Sequence, residues 1–292
     1  MKLGIILNRV NFEEKKIIKQ LQKNGHKVVQ LNNQRLGLPL HNGKKKLENK
    51  FGHLDIILQR SLSLTRGLYS SAVFESLGFR VINSYDSTRI CGDKLLTSLK
   101  LEENDIPTPK TSIAFKKNAA LKIIDEEHNY PVVIKPIIGS WGRLIAKMDN
   151  ANMASAILED RETMGHVFQK IFYLQEYVSD SDRPENAPTD IRVIYVHGKC
   201  VGAMGRIQTD EDFRSNIALG AKAVPLEINS HMNEICQKVA SAVGGDILGI
   251  DLMETKNGYV CLEVNGTPQF KGLMGSTKID VAKEIVNYLE SL

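Results

Sequence analysis

The chain has 292 residues, 42% of them hydrophobic and 25% charged, with a mean hydropathy of −0.20, which excludes disordered, collagen-like and coiled-coil architectures. At roughly 150 residues per domain, that length predicts two domains or three small ones. Its 38 basic and 34 acidic residues give a net charge of +4, too mild for a nucleic-acid footprint, and no apolar run approaches the ~18–20 residues of a membrane span.

Met1 to Asn8 runs into an apolar strand, Lys2–Leu7, and lacks the long apolar region and cleavage site of a signal peptide. Cys91, Cys200, Cys236 and Cys261 are scattered without a CxxC pair, so neither a disulfide framework nor a zinc site is expected, and a reduced, cytoplasmic setting fits. Asn11 can cap a helix with Glu14 three residues on; Ile17, Ile18 and Leu21 form its apolar stripe and Gly25 ends it. His26–Leu31, Leu54–Leu58 and Arg80–Ile82 read as strands and Gly67–Leu77 as a helix, while the run Lys44–Lys46 reads as a solvated loop. This βαβ alternation predicts a parallel sheet covered by helices. Asn8-Arg9-Val10-Asn11 stands where a dinucleotide fold needs GxGxxG, and there is no GxxxxGK[ST]. Any nucleotide would be held by another device.

Residues 90–104 read as one helix, stopped by Ile106-Pro107-Thr108-Pro109. A smaller segment follows, with a helix near Ala119–Glu127, a strand Val132–Pro136, a glycine loop Gly139–Leu144 and a helix near Ala151–Thr163. From Leu174 the pattern becomes antiparallel strands, with helices near Met232–Val243 and at Val281–Leu289. The polar stretch Ser179–Thr189 is a surface loop.

Two apolar runs between Ile247 and Asn265 flank Thr255-Lys256-Asn257-Gly258, a strong hairpin signal. A three-residue loop at 256–258 pairs Ile250 with Val264 and Leu252 with Leu262; a two-residue loop would set Leu252 against Glu263. Burial selects the first register. Asp251 then lies opposite Glu263, with Asn265 two residues along the same face. Two anions at that distance repel in a bare hairpin. A cation reverses the effect, and two carboxylates with one amide suit Mg²⁺.

Lys135 ends the apolar strand Val132-Val133-Ile134-Lys135 and needs an anionic partner or a path to solvent. Gly139-Ser140-Trp141-Gly142-Arg143-Leu144 follows, where glycines let backbone N–H groups approach phosphate oxygens. Lysine plus this loop points to a nucleoside triphosphate, and Lys94 supplies a further cation. Arg192 and Arg206 occupy strand-like positions from which forked guanidinium groups could grip carboxylate or phosphate.

Taken in order, these motifs resemble the RimK-like branch of the ATP-grasp superfamily, and most closely the LysX/ArgX ligases that load an amino acid onto the carrier protein LysW. The resemblance rests on Ile82-Asn83-Ser84, Cys91-Gly92-Asp93-Lys94, Ile134-Lys135-Pro136, the 139–144 loop and Gln175-Glu176-Tyr177-Val178. It continues through Asp190-Ile191-Arg192, Arg214-Ser215-Asn216, Gly249-Ile250-Asp251-Leu252 and Glu263-Val264-Asn265. It implies an α/β chain (α+β in part) of three domains: a βαβ pre-ATP-grasp domain at 1–88, a linker helix and central lid at 89–174, and a C-terminal antiparallel-sheet domain at 175–292. ATP would lie between the last two. The same resemblance implies that Lys94 and Lys135 hold its phosphates, with Gly139, Ser140, Trp141, Gly142 and Arg143 closing over them. Gln175, Glu176, Tyr177 and Val178 would bind adenine, and Arg214 and Asn216 would lie near the phosphates. Asp251, Glu263 and Asn265 would bind two Mg²⁺. Arg192 and Arg206 would be catalytic, with Arg192, Asn265 and Thr267 at the amino-acid substrate.

The implied reaction joins the α-amino group of glutamate or α-aminoadipate to the C-terminal glutamate of acidic LysW through an acyl phosphate, in arginine or lysine biosynthesis or both. A homodimer or homotetramer is the implied assembly, with no nucleic-acid or membrane partner. A RimK-type ligase adding glutamate to another protein's C-terminus is the alternative. One departure bears on the amino acid: after Asn265-Gly266-Thr267-Pro268 comes Gln269-Phe270-Lys271, where the branch often has Glu-Phe-Lys. Gln269 removes a charge where the amino acid is read. The form is somewhat more ArgX-like, and a ligase accepting both amino acids stays open.

Overall fold

The structure is a computed structural model describing residues 1–139, 142–185, 187–207 and 222–292. Its first sheet contains β1 (Lys2–Leu7), β2 (Lys27–Asn32), β3 (Ile56–Gln59) and β4 (Val81–Ile82), all parallel in the order β2-β1-β3-β4. Helices α1 (Phe12–Lys23), α2 (Gly43–Phe51) and α3 (Leu64–Ser76) cross between them, as parallel pairing requires. Glu14 accepts the Asn11 backbone N–H at 3.0 Å, closing the start of α1. The Lys44–Lys46 run is not a loop. It forms the exposed side of α2, anchored by buried Gly43 and Leu47.

Between the first and second sheets lie α4 (Tyr85–Cys91) and α5 (Lys94–Glu103), replacing the single helix expected over 90–104. Asp93 makes the break: it is extended, and its carboxylate accepts the N–H groups of Leu95 and Leu96 at 2.9 and 3.2 Å. That cap starts a second helix with Lys94 in its first turn. The second sheet holds β5 (Thr111–Ala114), β6 (Val132–Lys135), β7 (Ala146–Met148) and β8 (Phe172–Glu176) in the antiparallel order β5-β8-β6-β7. Helices α6 (Lys117–Glu127) and α7 (Ala151–Met164) pack against it over a core of their own.

The third sheet is antiparallel, with β9 (Asp190–Val196), β10 (Lys199–Ile207), β11 (Lys222–Leu226), β12 (Ile247–Thr255) and β13 (Gly258–Asn265) in the order β11-β10-β9-β12-β13. Helix α8 (Ser230–Val243) covers one face, its Ile235 and Val239 sharing a core with Ile191 and Val193 of β9 and with Leu248, Ile250 and Leu252 of β12. Helices α9 (Lys271–Thr277) and α10 (Val281–Glu290) cover the other face. There Ile285, Val286 and Leu289 of α10 share one core with Leu3 and Ile5 of β1, Ile17 and Leu21 of α1, and Ile194 of β9. The first and third sheets are therefore joined by buried apolar surface. Among the described residues, no helix is long and apolar enough to cross a membrane.

Asn83 ties the same two sheets by hydrogen bonds. Its Nδ2 donates to the carbonyls of Ile247 and Gly266 at 2.7 and 2.8 Å, and its Oδ1 accepts the N–H groups of Asp246 and Ile247, both at 2.9 Å. Asn83→Ala is expected to destabilise the fold by about 3 kcal/mol or more, because one unsatisfied buried polar group alone costs ~1–3 kcal/mol. A urea titration with unchanged m-value checks this.

The β12–β13 hairpin keeps the expected register at one end only. Ile250 pairs with Val264 and Asp251 with Glu263, but Leu252 pairs with Cys261 rather than Leu262. The turn is the two residues Lys256-Asn257, closed by Thr255 opposite Gly258, and the register shifts between Asp251 and Leu252. A tight turn and a buried apolar face require registers one residue apart, and a bulge at Leu262 reconciles them.

Candidate active site

The third sheet gathers charge on one face through its registers. Asp251 lies opposite Glu263 on β13 and opposite Arg192 on β9, while Arg206 on β10 lies opposite Asp190. Side chains two residues apart on a strand share a face, so Asp190 joins Arg192, and Asn265 joins Glu263. Arg192 grips Asp251 with two hydrogen bonds, one of them Nη2 to Oδ2 at 2.8 Å. Arg206 reaches Asp251 Oδ1 with Nη2 at 2.9 Å and donates Nε to Asp190 Oδ1. All four groups are largely buried.

Their titration follows from that crowding. Burial pushes the Asp190 carboxyl up to about 7, against the pull of Arg206. Burial also works to raise Asp251, but Arg192 and Arg206 outweigh it and hold that carboxyl below its ordinary value. Arg206 is disfavoured by burial, and Asp251 and Asp190 more than compensate.

On the second sheet, Lys135 at the end of β6 donates to Gln175 Oε1. Lys94 donates to the Gly139 carbonyl at 2.9 Å and to Glu263 Oε1 at 3.0 Å, linking the glycine loop to the third sheet. Burial lowers Lys135 to about 8, with Glu263 opposing the shift. Four cations, Lys94, Lys135, Arg192 and Arg206, thus converge on three carboxylates, Asp190, Asp251 and Glu263. Such a site has capacity for a polyanion.

Gln175 lies on β8, beside β6. Its side chain is buried, donating to Thr111 Oγ1 at 3.0 Å and the Tyr173 hydroxyl at 3.1 Å while accepting from Lys135. These contacts orient the lysine. Glu176 follows on an exposed strand end, its carboxylate accepting the Lys110 N–H at 2.9 Å. Lys147 lies over the Tyr177 ring at 4.6 Å, and Val178 is half-buried. Gly142 adopts a left-handed φ of 67°, beside exposed Arg143. Thr267 is half-buried and accepts from Gln59 at 3.2 Å. Ser140, Trp141, Arg214 and Asn216 lie outside the described residues.

Asp190 was legible only as a neighbour of Arg192; their i, i+2 spacing on a strand is the signal that joins them. Gln59, Thr111 and Tyr173 carried no such signal.

A family model described as the RimK-like ATP-grasp domain matches residues 91–289, and one described as the LysX preATP-grasp domain matches residues 3–90. The chain is 37% identical to the glutamate–LysW ligase ArgX of Sulfolobus acidocaldarius, over 100% of this chain and 99% of that protein. It is 33% identical to the α-aminoadipate–LysW ligase LysX of Sulfurisphaera tokodaii, over 99% and 98%. A solved RimK domain ATP-grasp protein from Sphaerobacter thermophilus shares the fold, with a TM-score of 0.75 at 20% identity, covering 99% of this chain and 100% of that one. With three sheets in this order and family matches running nearly end to end, the chain belongs to the RimK-like ATP-grasp family of ATP- and Mg²⁺-dependent ligases.

Proposed function

We propose that the protein joins the α-amino group of glutamate or α-aminoadipate to the C-terminal glutamate of a LysW-type carrier, serving arginine biosynthesis, lysine biosynthesis or both. The observation that carries this reading is the convergence of Lys94, Lys135, Arg192 and Arg206 on Asp251 and Glu263, in a chain similar over its full length to ArgX and LysX. The carrier carboxylate attacks the γ-phosphorus of ATP and releases ADP; the amino group then displaces phosphate from the acyl phosphate, forming the amide.

The residues present fit magnesium. Asp251 and Glu263 face each other, and the Asn265 amide, whose buried Nδ2 has no hydrogen-bond partner among the described residues, can turn its oxygen toward a cation. Oxygen donors of this kind suit an ion that keeps waters and phosphate oxygens in its shell. Asp251, Glu263 and Asn265 would hold two ions, which when bound supply positive charge to the transferring phosphoryl group. Lys135 and Lys94 hold the phosphates on the opposite side, Lys135 oriented by Gln175. Arg192 and Arg206 face the reacting carboxylate and the amino acid, and the 139–144 loop excludes water from the acyl phosphate. A net charge of +4 suits an acidic carrier.

Lys135 gives this reading a pH signature. A lysine is charged below its pKa, so affinity for Mg·AMPPNP is expected to fall as pH rises through about 8. Calorimetry from about pH 7 to about pH 9.5 checks this, and Lys135→Arg should flatten the profile because arginine stays charged.

The function itself is tested by incubating the protein with ATP, Mg²⁺ and a LysW-type carrier, with each amino acid separately, and reading the carrier's mass. An increment with glutamate alone identifies an arginine-route enzyme, and one with α-aminoadipate alone a lysine-route enzyme. Increments with both identify a shared ligase. No increment from a folded, ATP-binding protein rejects the carrier reading.

A further inference from the structure

The segment after Asn265 hangs on the N-terminal domain. Asn83 Nδ2 holds the Gly266 carbonyl at 2.8 Å, Gln59 Nε2 donates to Thr267 Oγ1 at 3.2 Å, and Arg60 Nη2 donates to the Pro268 carbonyl at 2.9 Å. Glu13 Oε1 accepts the N–H groups of Phe270 and Lys271 at 3.2 and 3.1 Å. All four of these side chains are at most 3% exposed.

Gln59 does more than hold. Its Oε1 accepts the Ser61 backbone N–H, a group that can only donate, so the amide cannot be reversed. Its NH₂ must therefore face Thr267. Helix α3 closes the other side with Gly67, where a Cβ would stand 2.9 Å from Gln59 Nε2. An NH₂ group has no acceptor to offer, so the Thr267 hydroxyl accepts from Gln59 and its own hydrogen is directed elsewhere.

We propose that Gln59 is a positioning residue for amino-acid binding: by fixing Thr267 Oγ1 as its acceptor, it commits the Thr267 hydroxyl to donate to a carboxylate oxygen of the acidic amino-acid substrate. This rests on the proposed ligase function and on the place at the amino acid that the family resemblance implies for Thr267. Gln59→Glu reverses the polarity with little change of shape. One carboxylate oxygen keeps Ser61 N–H, the other takes the Thr267 hydrogen, and the hydroxyl then presents lone pairs to the substrate.

The test is calorimetric titration of the full chain with glutamate and with α-aminoadipate, each in saturating Mg·AMPPNP. Gln59→Glu and Thr267→Val are each expected to weaken the amino acid that the wild type binds by roughly 10- to 100-fold, the range for a hydrogen bond to a charged group. Thr267→Ser should retain binding, and nucleotide affinity should stay within about twofold. The double variant should bind no more weakly than Thr267→Val alone, since both changes act on one hydroxyl. If Gln59→Glu does not fold, Gln59→Leu takes its place in the same cycle. Unchanged amino-acid affinity, fully additive losses, or a wild type that binds neither amino acid would overturn the proposal. A wild type that binds an amino acid but never loads the carrier would remove the carrier reading and leave this one standing.

Discussion

Glu263→Gln is expected to lower ATP turnover by roughly 10²–10³-fold, the loss typical of removing one preorganised electrostatic contact at a reacting centre. The fold should be nearly unaffected. Glu263 is half-buried and its ion partner among the described residues is Lys94 at 3.0 Å; partly exposed pairs of this kind contribute about 0–1 kcal/mol. Glutamine keeps the shape and an acceptor oxygen for Lys94 while removing the charge a cation needs. ADP release followed alongside thermal melting checks both halves, and normal turnover would refute the metal assignment.

Asp251→Asn is expected to cost turnover to a similar degree and stability as well. Asp251 is buried and neutralises Arg192 and Arg206 together. Removing its charge leaves two guanidinium groups with Asp190 as the remaining carboxylate of the tetrad. Breaking a buried ion pair costs about 3–5 kcal/mol, so the urea midpoint should drop sharply. The two opposed carboxylates are thus distinguishable: one variant is folded and inactive, the other inactive and destabilised.

That difference was not legible in the sequence. The facing of Asp251 and Glu263 was, because burial of Ile250 and Val264 fixes the register at that end. The turn was not, because a bulge absorbs one residue at no cost to the apolar face. Lys135 announced itself by ending an apolar strand, whereas the buried position of Gln175 depends on Thr111 of the neighbouring strand and on Tyr173 two residues back along its own. Helices α4 and α5 divide at Asp93 because a carboxylate found two backbone donors there, a local competition that apolar spacing does not register. Asn83 showed only as part of a motif, and its four backbone partners lie more than 160 residues away in the chain.

The clasp of Arg192 and Arg206 on Asp251 has a consequence for the order in which the site fills. A divalent cation arriving alone would have to take its carboxylate from two arginines that gain nothing in exchange. Arriving with a polyphosphate, whose terminal group lies beside the reacting carboxylate that those arginines face, it brings anions on which they can settle. In the proposed site, cation and nucleotide therefore favour each other's binding by the same factor, as linkage demands. Loading becomes an exchange of partners that is completed only when both are present, and the empty enzyme discriminates against either one by itself.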